Sequence, residues 1–245
     1  MKKLTAAERL IVAADYKPLD AHPLWWAEDQ VLALAENLRG TGVYIKVNSA
    51  LRASGYSLVN KLHDRGLRVF ADLKLYDIPQ TLAIDGALLR KVCPELLTTV
   101  CSAGVSAMKA LKAELPYTEV LGVTVLTSLK DADTKAMFSC STAEAVLRFA
   151  QVGADAKNDG LISSPAEVEV LRAKFGLMMS LNTPAIRPEF AIVAGDDQNP
   201  ERIMTPAKAI RAGADRLVIG RPITEAQNPR DAVMRTLEEI ESVMA

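Results

Sequence analysis

The sequence predicts an α/β protein folded as a single (β/α)8 barrel, also called a TIM barrel, over residues 1–245. Short apolar, β-branched segments alternate with longer amphipathic segments from one end to the other, which is typical of βα units around a parallel sheet. Eight such units occur in 245 residues, and one closed barrel typically needs about 250. The composition, with 49% hydrophobic and 24% charged residues, provides apolar material for one large core.

The predicted strands are short runs rich in Val, Ile and Leu between turn-forming or polar residues. They are Leu10–Asp15, Gly42–Asn48, Leu67–Leu75, Leu96–Cys101, Val120–Leu126, Gly160–Ser163, Leu177–Thr183 and Arg216–Gly220. Several predicted helices begin with Pro or an N-cap residue. They include Asp29–Arg39, Pro79–Val92, Thr142–Val152, Pro165–Lys174 and Pro229–Met244. Because active sites of such barrels lie at the C-terminal ends of the strands, polar residues at those ends are candidates for function.

The first two strands each bring a charge towards that end of the barrel. Strand one ends in Asp15, and strand two carries Lys46 inside an otherwise apolar run. A buried lysine needs a partner, because an unpaired charge is costly to remove from water. Asp72, on the neighbouring third strand, is the predicted partner.

The third strand places further charges in an apolar run. Side chains alternate along a strand, so Phe70, Asp72 and Lys74 are predicted to share one face. A carboxylate and an ammonium ~4 Å apart recover about 4 kcal/mol at an effective dielectric near 20, which offsets much of the desolvation cost. Asp77 follows just past the strand and completes the spacing Asp-x-Lys-x-x-Asp. A lone Asp-x-Lys would indicate a structural salt bridge, but this alternating array of Lys46, Asp72, Lys74 and Asp77 predicts an active site.

Later strand ends indicate where an anion could bind. Strand five ends near the hydroxyls of Thr127 and Ser128, and an irregular stretch over 182–202 follows strand seven, far longer than the usual ~2–6 residues of such loops. The loops after strands seven and eight of these barrels frequently bind phosphate. Gly220 permits a close approach of the backbone, and Arg221 offers a forked donor.

Charge and composition argue against several classes of function. The net charge is −1 with no basic run, so we expect no nucleic-acid partner. No signal-peptide pattern and no run of ~18 apolar residues occurs, so we expect a cytoplasmic protein with no membrane association. Three cysteines without ligand spacing predict neither a disulfide framework nor a metal site, and with only two histidines we do not expect histidine-based catalysis.

In this order along the chain, the motifs resemble those of the orotidine 5′-monophosphate decarboxylase family, from Asp15 to Ile223. The four matching segments are the family's signature at Asp72–Thr81, its pyrimidine-side loop at Leu126–Ser128, its lid at Thr183–Pro188 with Asp197 and Gln198, and its phosphate site at Val218–Pro222.

This resemblance implies a homodimer that removes CO₂ from orotidylate to give uridylate, with no metal and no organic cofactor. In the implied site, Lys46, Asp72 and Lys74 form a charged array that Asp77 of the other subunit completes. Asp15 and Thr81 would bind the ribose, Thr81 from across the interface. The remaining contacts would be Thr127 and Ser128 with the pyrimidine, and Arg187, Gln198, Gly220 and Arg221 with the phosphate.

Some positions depart from the family pattern. Tyr76 stands where the signature often has His, Asn48 where strand two commonly ends in Gly, and the stretch 101–104 replaces a His-Ala-Ser-Gly-like segment. Ala185 replaces the Gly of the lid. A positive φ is disfavoured for Ala, so the resemblance does not determine the backbone path of the lid here.

The chemistry expected from the resemblance is electrostatic. Loss of CO₂ from C6 of the pyrimidine leaves a carbanion with little resonance stabilisation, so catalysis must come from charges arranged in advance. Lys74 would stabilise that charge and deliver the proton. Three alternatives stay open: a Mg²⁺-dependent sugar-phosphate synthase or decarboxylase on the same barrel, a Schiff-base aldolase using Lys46 or Lys74, and a non-catalytic barrel that binds a nucleotide or a partner.

Overall fold

The computed structural model describes residues 3–192 and 204–244. Eight parallel strands pair in chain order, and β8 closes on β1, so the predicted fold class is confirmed. The strands are β1 Leu10–Ala13, β2 Tyr44–Val47, β3 Arg68–Leu75, β4 Leu96–Val100, β5 Glu119–Val123, β6 Gly160–Ile162, β7 Ser180–Thr183 and β8 Arg216–Ile219. The assignment of all of 1–245 to one domain stays a prediction.

Helices cover the outside of the barrel. They are α1 Ala6–Arg9, α2 Trp26–Leu38, α3 Ser49–Ser54, α4 Ser57–His63, α5 Pro79–Leu89, α6 Val105–Glu114, α7 Asp131–Phe138, α8 Thr142–Asp155, α9 Val168–Phe175, α10 Pro206–Ala212, α11 Arg221–Thr224 and α12 Pro229–Glu241, with 3₁₀ turns at Cys101–Ala103, Pro165–Glu167 and Glu189–Ala191. Of the described helices, none is both long and apolar enough to span a bilayer.

Local chemistry explains where several of these helices begin. Ser141 forms a reciprocal capping box with Glu144 at the start of α8, and the side chain of Thr205 caps α10. Pro occupies the first helical position of α5, α10 and α12, where its missing N–H costs nothing and its fixed φ suits the helix.

The predicted start of strand seven is wrong. Leu177 and Met178 are exposed in the turn after α9, and β7 begins at Ser180, which pairs with Gly160 at the start of β6. The apolar run Leu177–Met179 has no strand beside it, because neither neighbour extends that far. Apolar character alone therefore predicted a strand that begins three residues too early.

Inside the barrel, a cluster of apolar side chains is followed by charged ones towards the N-terminal ends of the strands. The apolar cluster consists of Ile11, Ala13, Tyr44, Phe70, Leu96, Leu121 and Val218. At the N-terminal ends of the strands, Arg216 makes two hydrogen bonds to the carboxylate of Glu119, at 2.9 and 2.8 Å. The guanidinium groups of Arg68 and Arg216 each lie 5.5 Å from the ring centre of Tyr44.

We expect Gly160→Ala to lower the free energy of unfolding by about 1–3 kcal/mol. A Cβ at position 160 would overlap Oγ of Ser180 and would lie 2.6 Å from its carbonyl oxygen, so β6 and β7 would have to separate. Urea denaturation measures the loss. In Gly160→Ala/Ser180→Ala only the hydroxyl clash is removed, so stability should return in part, and full recovery would contradict a backbone constraint.

Candidate active site

A cavity of about 510 Å³ opens at the C-terminal ends of the strands. Its walls bring together residues that are far apart in the sequence. Eight of the residues predicted for the site line it: Asp15, Lys46, Asp72, Lys74, Thr127, Arg187, Gly220 and Arg221. The site is therefore where a (β/α)8 barrel places its active site.

Asp72 lies at the centre of a chain of charges on one wall of the cavity. Its Oδ2 is 3.2 Å from Nζ of Lys46 and 2.7 Å from Nζ of Lys74, so the predicted pairing of Lys46 with Asp72 is confirmed. Nζ of Lys46 is also 2.7 Å from Oδ2 of Asp15, a contact that the sequence analysis missed. Phe70, Asp72 and Lys74 all face the cavity, as the strand alternation predicts.

Burial differs along this chain of charges. The side chains of Lys46 and Asp72 are 8% and 10% exposed, whereas that of Lys74 is 32% exposed. Burial by itself raises the pKa of Asp72, but the charges of the two lysines and hydrogen bonds from Lys74 and Thr98 outweigh it, so the pKa lies below its usual value. Asp72 is thus a carboxylate at neutral pH, and Lys74 is the more exposed of its two lysine partners.

Thr98 on β4 also contacts the array, and the sequence analysis did not single it out. Its Oγ1 donates a hydrogen bond to Oδ1 of Asp72 and accepts one from the backbone N–H of Lys74, both at 2.9 Å. The signal that could have found it is two hydroxyls in the run Leu96–Val100, since buried polar groups need partners.

Another part of the rim comes from the segments after β5, β7 and β8, which contribute Thr127, Arg187 and Arg221. The long loop after β7 is closed at its base, because Ile186 pairs with Met204 and the N–H of Arg187 donates to the carbonyl of Met204. The two guanidinium groups on this rim can bind an anion.

Ala185 in this loop has φ 62°. The left-handed backbone is therefore present even though Ala occupies the position, at a cost of about 1–2 kcal/mol relative to an ordinary conformation.

Three predicted residues of the described chain do not line the cavity. Ser128 and Asp77 are exposed, and Thr81 is half-buried on α5. Gln198, with its neighbour Asp197, lies outside the described residues. Oδ1 of Asp77 accepts the N–H of Ile78 at 2.7 Å, and no ion pair joins Asp77 to Lys74 among the described contacts.

Comparison with known proteins adds a decisive observation. Residues 8–236 match the family model described as orotidine 5′-phosphate decarboxylase / HUMPS family. The chain belongs to this family. The match covers nearly the whole chain and includes every residue that lines the cavity.

Relatives within the orotidine 5′-phosphate decarboxylase / HUMPS family include two bacterial proteins named orotidine 5′-phosphate decarboxylase. The one from Pasteurella multocida is 37% identical, covering 92% of this chain and 94% of the relative. The one from Syntrophus aciditrophicus is 38% identical, covering 94% and 91%.

Solved structures agree with the fold. A crystal structure of the orotidine 5′-phosphate decarboxylase from Lactobacillus acidophilus superposes with a TM-score of 0.79 at 28% identity, covering 95% of this chain and 99% of that one. A structure from Pyrococcus horikoshii OT3, with a TM-score of 0.73 at 22% identity, supports the fold alone.

We expect Ala185→Gly to raise the free energy of unfolding by about 1 kcal/mol, because Gly adopts a positive φ without strain. Ala173→Gly, at an exposed position inside α9, is the control and should lower it by about 0.5–1 kcal/mol. Chemical denaturation measures both. A loss of stability in both variants would contradict the left-handed conformation at 185.

Proposed function

We propose that this protein is an orotidine 5′-phosphate decarboxylase, which converts orotidylate to uridylate and CO₂ in pyrimidine biosynthesis. The observation that carries the proposal is the array of Lys46, Asp72 and Lys74 in a cavity with two arginines on its rim. Family membership and relatives of that name at 36–38% identity support the same reaction. The cytoplasmic location stays a prediction.

The cavity has a place for each part of the nucleotide. The phosphate would bind Arg187 and Arg221, since a guanidinium group donates two parallel hydrogen bonds to an anion. Gly220 adds little bulk between them and the strand ends. The ribose hydroxyls would meet Asp15, whose carboxylate is half exposed beside Lys46, and the pyrimidine would lie beside Thr127. Ser128 and Gln198 complete the proposed contacts from the loops.

In the proposed mechanism, Lys74 acts on the carbon that loses CO₂. As an ammonium it would stabilise negative charge at C6 while the C–C bond breaks, and then give a proton to that carbon. Asp72 keeps Lys74 charged and crowds the departing carboxylate. Binding of the remote phosphate offsets that repulsion, because energy from a non-reacting part of the substrate can be used at the reacting centre.

The Mg²⁺-dependent alternative would use the same carboxylates as ligands. In this structure both oxygens of Asp72 are already engaged, Oδ2 by two lysines and Oδ1 by Thr98. This arrangement favours the decarboxylase that works through its lysines.

We further propose a homodimer with shared sites. Tyr76 and Ile78, on either side of Asp77, are exposed by 64% and 63%. On α5, Thr81, Ile84 and Leu88 follow one another at spacings of three and four, so they share one face of the helix. A second copy covering this apolar surface would bring Asp77 and Thr81 towards its own cavity.

We expect Lys74→Ala to remove nearly all decarboxylation, because the variant lacks both the cation and the proton donor. The measurement is loss of orotidylate absorbance with EDTA present, and Lys174→Ala, an exposed lysine of α9, is the control. An active Lys74→Ala protein would refute the mechanism. Wild-type activity that EDTA abolishes would favour the Mg²⁺-dependent alternative, and trapping of substrate by borohydride would favour the aldolase.

The shared site predicts complementation. Inactive Lys74→Ala and Asp77→Asn subunits, unfolded and refolded together, would form mixed dimers with one doubly defective site and one intact site. With random pairing, roughly a quarter of wild-type activity should return. If Asp77 serves its own chain, every site stays defective and the mixture stays inactive.

A further inference from the structure

The third strand is irregular beside the charged array. Between two consecutive pairs of the β3–β4 ladder, Ala71 with Leu97 and Leu75 with Thr99, there are three residues on β3 but only Thr98 on β4. Such a bulge leaves backbone groups that the ladder cannot pair, and buried backbone groups need partners. Side chains must therefore supply them.

The side chain of Thr98 fills this gap. Thr98 is fully buried, and its Oγ1 accepts the backbone N–H of Lys74 while donating to Oδ1 of Asp72, both at 2.9 Å. A hydroxyl carries one proton, so the bond to Asp72 fixes its orientation and leaves its lone pairs for Lys74. A β-branched side chain also has few rotamers to choose from. One hydroxyl thus ties the backbone of one catalytic candidate to the carboxylate of the other.

These two hydrogen bonds determine which oxygen of Asp72 meets the lysines and how the backbone of Lys74 is held. With Oδ1 of Asp72 engaged by Thr98, Oδ2 is the oxygen that meets Lys46 and Lys74. Lys74 itself has φ 49°, a backbone conformation uncommon for a residue with a Cβ and one that persists only where the surroundings enforce it. The hydrogen bond that the N–H of Lys74 donates to Oγ1 of Thr98 acts at that residue.

We propose that Thr98 is a positioning residue for decarboxylation, holding the Lys74 backbone and the Asp72 carboxylate so that the Lys74 ammonium faces the reacting carbon. This inference rests on the proposed function. Thr98 is not among the described residues that line the cavity, so it acts through Lys74 and Asp72 and does not touch the substrate.

Thr99 provides a matched comparison. It is the next residue of β4 and is equally buried, but its Oγ1 donates to the carbonyl of Leu75 at 2.9 Å. It therefore bridges the same two strands without contacting either charged side chain. If both hydroxyls had a purely structural role, removing either one would have the same effect on kcat.

The test compares Thr98→Val, Thr98→Ser and Thr99→Val in the full chain. Thr98→Val should lower kcat roughly 10- to 100-fold, the loss expected from a small displacement of a catalytic group, with KM and the Kd of uridylate nearly unchanged. Thr98→Ser keeps the hydroxyl and should have a kcat close to that of the wild type. Thr99→Val should also have a kcat close to that of the wild type. Thermal unfolding of each variant records the structural cost. If Thr98→Val does not fold, Thr98→Ala should show the same loss of kcat.

Three results would overturn the proposal. Equal effects of Thr98→Val and Thr99→Val on kcat would show a structural role only, and failure of Thr98→Ser to restore kcat would show that the hydroxyl is not the cause. In both cases an active wild-type protein leaves the proposed function intact. A wild-type protein without turnover of orotidylate would overturn the proposed function, and this inference with it.

Discussion

The buried carboxylate of Asp72 is the group on which the catalytic end of this barrel depends. Burial raises its pKa, yet the neighbouring lysines and hydrogen bonds keep it ionised. Because Asp72 carries a charge, Lys46 and Lys74 each have a counter-charge where an unpaired ammonium would be costly. Asp72 therefore compensates both lysines, and its removal would leave Lys74 without an ion-pair partner among the described residues.

The two ends of the barrel use ion pairs for different purposes. At the N-terminal end, Arg216 is almost fully buried, bound to Glu119 through two nitrogens and packed over Tyr44. Its charge is satisfied within the chain. At the C-terminal end, about a third of the Lys74 side chain remains exposed in the cavity. A partly desolvated cation next to a fixed carboxylate can act on a ligand, because its field is weakly screened and needs no reorganisation.

The end of β3 and the turn after it face two different surfaces within a few residues. Lys74 faces the cavity of its own chain, whereas Asp77 is exposed on the outside. The pKa of Asp85 is raised mainly by burial and further by the nearby charge of Asp77. Exposed Tyr76 and Ile78 flank Asp77. An acid surrounded by apolar surface is an arrangement suited to a protein interface, since apolar area there can be removed from water by a partner.

The sequence by itself determined the eight-strand pattern and the pairing of Lys46 with Asp72, because periodicity and the cost of burying a charge are properties of short segments. Tertiary structure alone decided that the apolar Leu177 lies outside the sheet, that Asp15 reaches Lys46, and that the β3 bulge meets Thr98. These depend on which strands run side by side and in what register. Register is set by closure of the whole barrel and cannot be read from one strand.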